Sequence, residues 1–243
     1  MRSEVGAGTR GASLGPDAIR IAALDFGSRF FKKHPGIAVP DENHLLLESA
    51  GNMHAKRISG VLTITERIGD QVCATLRNGE FPLIIGGDHS IAAGTLAGIR
   101  MAWPKSRPGL IWIDAHADIH SPYTTPSGNM HGMPVAISLD EDNIESKLHT
   151  PDQETLNFWY QLKNVGGICP KITYGDLVMI GVRDMEPAEE NLLKKHQVKN
   201  FSITEIRRRG VEKVAFEALK QLDHCDRIHV SFDVDVLDPS VSR

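Results

Sequence analysis

Two carboxylates and an imidazole alternate with alanines in Ile113-Asp114-Ala115-His116-Ala117-Asp118, directly after the apolar run Leu110-Ile111-Trp112-Ile113. The run reads as a buried strand of a parallel sheet. Extended chain has a period of two, so Asp114, His116 and Asp118 are expected on one side and the alanines on the other. Like charges packed side by side cannot all stay ionised without a counter-charge, and the simplest counter-charge is a metal ion. A chain with this segment must build a sheet whose strand end faces a cation.

The rest of the chain supplies such a sheet. Strand-like runs at 82–85, 177–182, 198–203 and 227–232 alternate with helical patterns at 91–103, 187–196 and 211–222. This alternation predicts a three-layer α/β/α architecture with a mainly parallel sheet. Upstream, helices are expected over 16–26 and 55–77, a weak strand at 45–47 and a Gly-rich loop at 6–11. The loop matches G-x-G-x-x-G, but too few residues precede it to form the strand that a dinucleotide site needs. A polar loop over 120–130 has the composition of a functional loop, and 133–148 and 155–163 read as helical. No composition break divides the chain, so residues 1–243 read as a single domain.

The bulk numbers exclude several function classes. A net charge of −4 gives no global bias toward nucleic acid or an anionic membrane. The basic run Arg207-Arg208-Arg209 reads as a solvated helix approach. Three cysteines without Cys-x-x-Cys spacing argue against a disulfide framework and for a reducing compartment. With no signal-like or membrane-spanning stretch, a cytoplasmic location is expected.

Every unusual polar cluster falls at the carboxyl end of an expected strand: Asp88 with His89, then Asp114, His116 and Asp118, then Asp233 and Asp235. In open parallel sheets the ligand crevice lies outside those ends. Taken singly, a histidine there is an ordinary packed group and an aspartate an ordinary helix cap. Taken together, Asp114, Asp118, Asp233 and Asp235 with His89 and His116 form an oxygen-rich set without thiolate, which suits Mn²⁺, with Fe²⁺, Co²⁺ or Ni²⁺ as alternatives. Six ligands are many for one ion and natural for two. Two ions lower the pKa of a bridging water, so metal-assisted hydrolysis is the implied chemistry.

The segments Gly86-Gly87-Asp88-His89-Ser90, Asp114-Ala115-His116-Ala117-Asp118 and Ser231-Phe232-Asp233-Val234-Asp235 resemble, in order, the signatures of the ureohydrolase superfamily. That superfamily comprises dimanganese enzymes of arginase, agmatinase and formimidoylglutamase type. Thr124 to Gly132 and Arg183 to Glu189 resemble the arginase branch. The resemblance implies one ion on His89, Asp114, Asp118 and Asp233, and another on Asp114, His116, Asp233 and Asp235. It implies catalytic roles for Asp118 and for His131, the latter as a proton shuttle to the leaving amine. Thr125, Ser127 and Asn129 would hold a substrate α-carboxylate, with Glu186 and Glu189 facing the α-amino group and His120 beside them. The implied reaction converts L-arginine to L-ornithine and urea, in a homotrimer or homohexamer.

Two positions depart from the arginase pattern: His120 stands where an asparagine is expected, and Glu186 where a shorter aspartate is. The resemblance also implies a strand before the Gly-rich loop and a tail beyond Asp238-Pro239, which the sequence lacks. A truncated catalytic domain with an exposed sheet edge is therefore expected. Agmatinase, formimidoylglutamase and a non-catalytic metal-binding homologue remain alternatives. Two-metal phosphoesterases share similar motifs but in another order, and no basic cluster is positioned to grip phosphate.

Overall fold

The computed structural model describes residues 1–238 and 240. In chain order the helices and strands are α1 (Gly15–Asp25), α2 (Phe30–Lys33), α3 (Ile58–Arg77), α4 (Ile91–Ala102), β1 (Pro108–Ile113), α5 (Pro134–Leu139), α6 (Gln153–Lys163), β2 (Leu177–Ile180), α7 (Pro187–Lys195), β3 (Lys199–Phe201), α8 (Ile203–Arg209), α9 (Val211–Gln221) and β4 (Arg227–Phe232). Every strand pair is parallel, in the order β3-β2-β1-β4, with Leu110 opposite Leu177 and Ile113 opposite Phe232. The parallel order follows from the helices that cross between successive strands.

The apolar run of β1 divides between two cores. Leu110 and Trp112 pack on one face with Val61, Ile64 and Ile68 of α3 and Leu96 and Ala97 of α4. Ile111 turns to the other face, where Val178 and Phe201 meet Val214 and Ala218 of α9. Each such side chain contributes about 1.5–3 kcal/mol on burial, so β1 is anchored from both sides. This is the three-layer α/β/α arrangement expected. On the first face α3 and α4 approach closely, because a Cβ at Gly98 would lie only 2.6 Å from the Gly69 carbonyl.

Four local expectations fail, each for a physical reason. Residues 82–85 form no strand; Leu83 is 61% exposed. Their neighbour is the amino terminus, whose ammonium donates to the Ile85 carbonyl at 3.0 Å, rather than a continuous ladder. Residues 43–47 coil into a 3₁₀ turn instead of a strand. The helix expected over 133–148 stops at Leu139, since Asp140 takes a left-handed φ of 57°. Helix α8 lies where a strand end was expected, while Arg207 and Arg208 at its end are exposed, as a solvated basic run requires. Ser202 Oγ accepts from Glu205 N at 3.2 Å and so caps the helix.

Strand β4 pairs only with β1 among the described residues, and Val230 and Phe232 are exposed. Among the described residues, no helix is long and apolar enough to cross a membrane.

Candidate metal centre

At the end of β1 the chain leaves the sheet under tight control. Asp114 N donates to the Ile180 carbonyl at 3.2 Å, continuing the ladder one residue past the strand. The Ala115 carbonyl then accepts from Arg183 N and Asp184 N. Asp118 has a φ of 49°, so the segment bends here and the period of two ends. Convergence of the predicted ligands therefore comes from loops braced against the sheet, not from one extended face.

His89 lies just before α4. Its ring stacks on Trp112 with centroids 4.0 Å apart, and its Nε2 sits 2.7 Å from Ser231 Oγ on β4. These contacts turn Nδ1 toward the carboxylates: Asp114 Oδ2 at 2.9 Å, Asp233 Oδ2 at 3.2 Å and Asp118 Oδ2 at 3.4 Å. His116 Nδ1 lies 3.0 Å from Asp235 Oδ2 and 3.5 Å from Asp114 Oδ1. Asp114 thus joins two groups, His89–Asp114–Asp118 and Asp114–His116–Asp235, each with ligand atoms close enough to share one ion. Asp233 adjoins the first group and accepts from Asp235 N at 3.0 Å in the 3₁₀ turn that follows β4.

One detail tests whether a cation fits. His89 Nδ1 and Asp114 Oδ2 are both fully buried and lack hydrogen-bond geometry, although 2.9 Å separates them. Two buried polar atoms that face each other without bonding have the arrangement of ligands aimed at a common third atom. Without thiolates, the donor set suits a hard or borderline divalent ion.

The electrostatics agree. Burial pulls the His89 imidazole down, but the carboxylates of Asp114 and Asp233 outweigh it and push it up to about 10. Hydrogen bonds to Asp114 and Asp235 raise His116 to about 11. Burial works against the Asp235 carboxylate, yet His116 and Ala115 N hold it down at about 2. Burial drives the Asp118 carboxyl well above its ordinary range. The imidazolium groups thus act as counter-charges that a divalent ion would displace, since an imidazole ligand must be neutral.

The other predicted site residues fall into two sets. Over 121–130 the loop is pinned at Gly128, where a Cβ would lie 2.1 Å from the Met53 carbonyl. Thr125 Oγ1 accepts from Gly128 N at 2.9 Å, and Ser127 Oγ from Asn129 N at 3.1 Å. Among the described residues neither hydroxyl donates a hydrogen bond elsewhere. Asn129 is half-buried in the same turn. His131 follows on the 3₁₀ turn Met130–Gly132, its N–H held by the Gly6 carbonyl, and burial keeps its imidazole below the usual range.

In the second set, buried His120 places Nε2 2.9 Å from Glu186 Oε2 and 3.5 Å from Glu189 Oε2, with Nδ1 3.0 Å from Thr124 Oγ1. Glu186 is the N-cap of α7 and Glu189 its N3 partner in a capping box. Burial raises the Glu189 carboxyl.

Two residues of the sequence motifs act as braces, a role the motifs themselves do not show. Arg183 donates to the carbonyls of Asp235, Val236 and Leu237 at 2.9, 3.1 and 3.2 Å, clamping the turn that bears Asp235. Asp88, adjacent to His89, turns away from the ligands: Oδ2 accepts from Ser3 Oγ and Gly6 N, and Oδ1 from Ser90. It ties the Gly-rich loop to the His89 loop, a role visible only once the two meet in space.

Comparison with known proteins accords with this geometry. The model of the Arginase family matches residues 2–243. An arginase of Bacillus subtilis (strain 168) is 36% identical over 243 residues, 99% of this chain and 75% of the relative. A crystal structure of arginase from Bacillus subtilis superposes with a TM-score of 0.76 at 34% identity, over 99% of this chain and 74% of that one. Formimidoylglutamase from Bacillus subtilis subsp. subtilis str. 168 superposes with a TM-score of 0.63 at 28% identity, over 96% and 62%.

Proposed function

The chain belongs to the arginase family, and on that premise we propose that it is a dimanganese arginase, hydrolysing the guanidinium of L-arginine to give L-ornithine and urea. The supporting observation is the facing pair of unbonded buried atoms, His89 Nδ1 and Asp114 Oδ2, with the other carboxylates gathered around them. In this reading His89, Asp114, Asp118 and Asp233 hold one ion, and Asp114, His116, Asp233 and Asp235 the other. Such a pair supplies, when bound, a hydroxide nucleophile at neutral pH.

The chain's own groups do the rest. Asp118 orients the attacking water. The His131 imidazole, neutral near pH 7, carries a proton to the departing amine. Thr125, Ser127 and Asn129 offer neutral donors to the α-carboxylate. Glu186 and Glu189 receive the α-amino group, which must share Glu186 with His120. We further infer a cytoplasmic homotrimer or homohexamer of one catalytic domain over residues 1–243.

Urea release from arginine and agmatine, measured with bound metal counted, tests the reading. Agmatine lacks the α-carboxylate, so arginine should be favoured by at least about tenfold, the worth of one or two hydrogen bonds to a charged group. Equal rates would refute the assigned carboxylate contacts. The formimidoylglutamase reading draws on that structural likeness, and turnover of formimidoylglutamate in place of arginine would establish it.

A further inference from the structure

The amino ends of β1 and β2, opposite the metal centre, open on a cleft of ≈270 Å³. Arg100 at the end of α4, Lys105 and Arg107 before β1, and Lys171 before β2 line it, with Asp176 as the carboxylate in the lining. Seven residues of nearly extended chain separate Arg107 from Asp114, about 23 Å at ~3.3 Å per residue. The cleft is therefore distinct from the metal centre.

Asp176 is already committed. Its Oδ1 accepts from Arg107 Nε at 2.6 Å and sits 3.1 Å from His224 Nε2, while Oδ2 accepts from Thr173 Oγ1 and N at 2.7 and 2.9 Å. The other cations are not so matched. Lys171 is 2% exposed, and its Nζ donates to the Lys163 carbonyl; no ion pair engages it among the described residues. Asp140, the carboxylate in its field, is paired to Lys163 at 2.8 Å. Burial drives the Lys171 ammonium down to about 8, the mark of a cation lacking an anion. Arg100 gives Nη1 to the Ser106 carbonyl, and its buried Nε has no partner among the described residues. Lys105 projects into solvent at the rim.

We propose that this cleft binds a small phosphate-class oxyanion, with Arg100, Lys105, Arg107 and Lys171 as its cationic partners. Guanidinium groups present planar forks of N–H donors that match phosphate oxygens, and ammonium groups add compact charge. A buried cation is costly when unpaired and favourable when a hydrogen-bonded anion meets it. The volume holds a phosphate group with a few further atoms and is smaller than ordinary drug-sized pockets. Arg100, Lys105 and Arg107 lie within eight residues of one another, and the fold brings Lys171 to them. Such an ion would link the loops entering β1 and β2, so binding stabilises the native state.

The test is the melting temperature of the metal-loaded protein in rising inorganic phosphate, against sodium chloride of matched ionic strength. Wild type, Lys105→Glu and Arg100→Gln are compared. A saturable rise specific to phosphate is expected, with the apparent affinity at least tenfold weaker in both variants and urea release unchanged in Lys105→Glu. Because Lys105 is exposed, that variant keeps the test informative should Arg100→Gln fold poorly. Absence of a saturable phosphate-specific rise overturns the proposal. So does an affinity unchanged in Lys105→Glu, which would place the ion elsewhere, such as at the metal centre.

Discussion

The two halves of the candidate metal centre share Asp114 but sit in different solvents. In the half built on His89, the side chains of His89, Asp114 and Asp118 are 8%, 1% and 9% exposed. In the other half, His116 and Asp235 are 49% and 43% exposed. Charge in the first half is removed from water and must be matched by a partner; charge in the second is largely solvated. The first is held by packing, with the His89 ring on Trp112 and Asp118 in a fixed left-handed bend. A surface turn clamped by Arg183 holds the second. The halves should accordingly differ in how tightly they load and how they fail.

Asp114→Asn strikes both halves and should have the largest effect. Bound metal should fall below one ion per chain, and urea release by at least about 100-fold, the upper range for outer-sphere partners alone. Asp118→Asn strikes only the buried half, so metal analysis should find one ion and little turnover. Asp235→Asn should also leave one ion, but the more tightly held one. If the two variants retain ions of equal affinity, the contrast between the halves collapses.

Loading should depend steeply on pH. His89 and His116 hold their protons up to about 10 and 11, and a bound ion must displace both. Apparent metal affinity should therefore climb with pH from neutrality toward 10, by about a factor of ten per unit for each proton released. The metal-free protein has the opposite sign. Its raised imidazole pKa values stabilise the fold fully below the ordinary value of 6.5, and that stability is lost as pH rises through about 10. Proton release measured calorimetrically in buffers of different ionisation enthalpy checks the count. Arg183→Ala should have the smallest effect, weakening only the exposed half by about tenfold, the low end for a supporting residue.

The contrast between the halves also marks what the sequence could and could not reveal. Long periodic segments such as 58–77 and the apolar run of β1 were legible, because burial on a fixed face leaves a repeating pattern. The ligands were legible because carboxylates beside histidines at strand ends are chemically anomalous. Alternation alone misplaced the reason for their convergence: Asp118 bends and Asp235 sits in a 3₁₀ turn, so the geometry depends on distant braces. Ser231 on His89, Arg183 on the Asp235 turn and Ser3 on Asp88 are ordinary residues whose roles arise from long-range contact. Short apolar runs misled for the same reason. Leu45 to Leu47 and Leu83 to Ile85 resemble strands locally, but only a neighbouring strand makes them so.

Strand β4 carries this further. Register with β1 from Arg227–Pro108 to Phe232–Ile113 is its sheet anchorage among the described residues, and Asp233 and Asp235 follow at its end. A brief local opening of that edge would carry both aspartates away from His89 and His116, so edge fluctuation and ion loading compete for the same structure. Hydrogen exchange at the amides of β4 should then slow as metal is titrated in, while exchange in β2, held between two strands, stays nearly constant. The edge strand becomes a gauge of occupancy that can be read without any substrate.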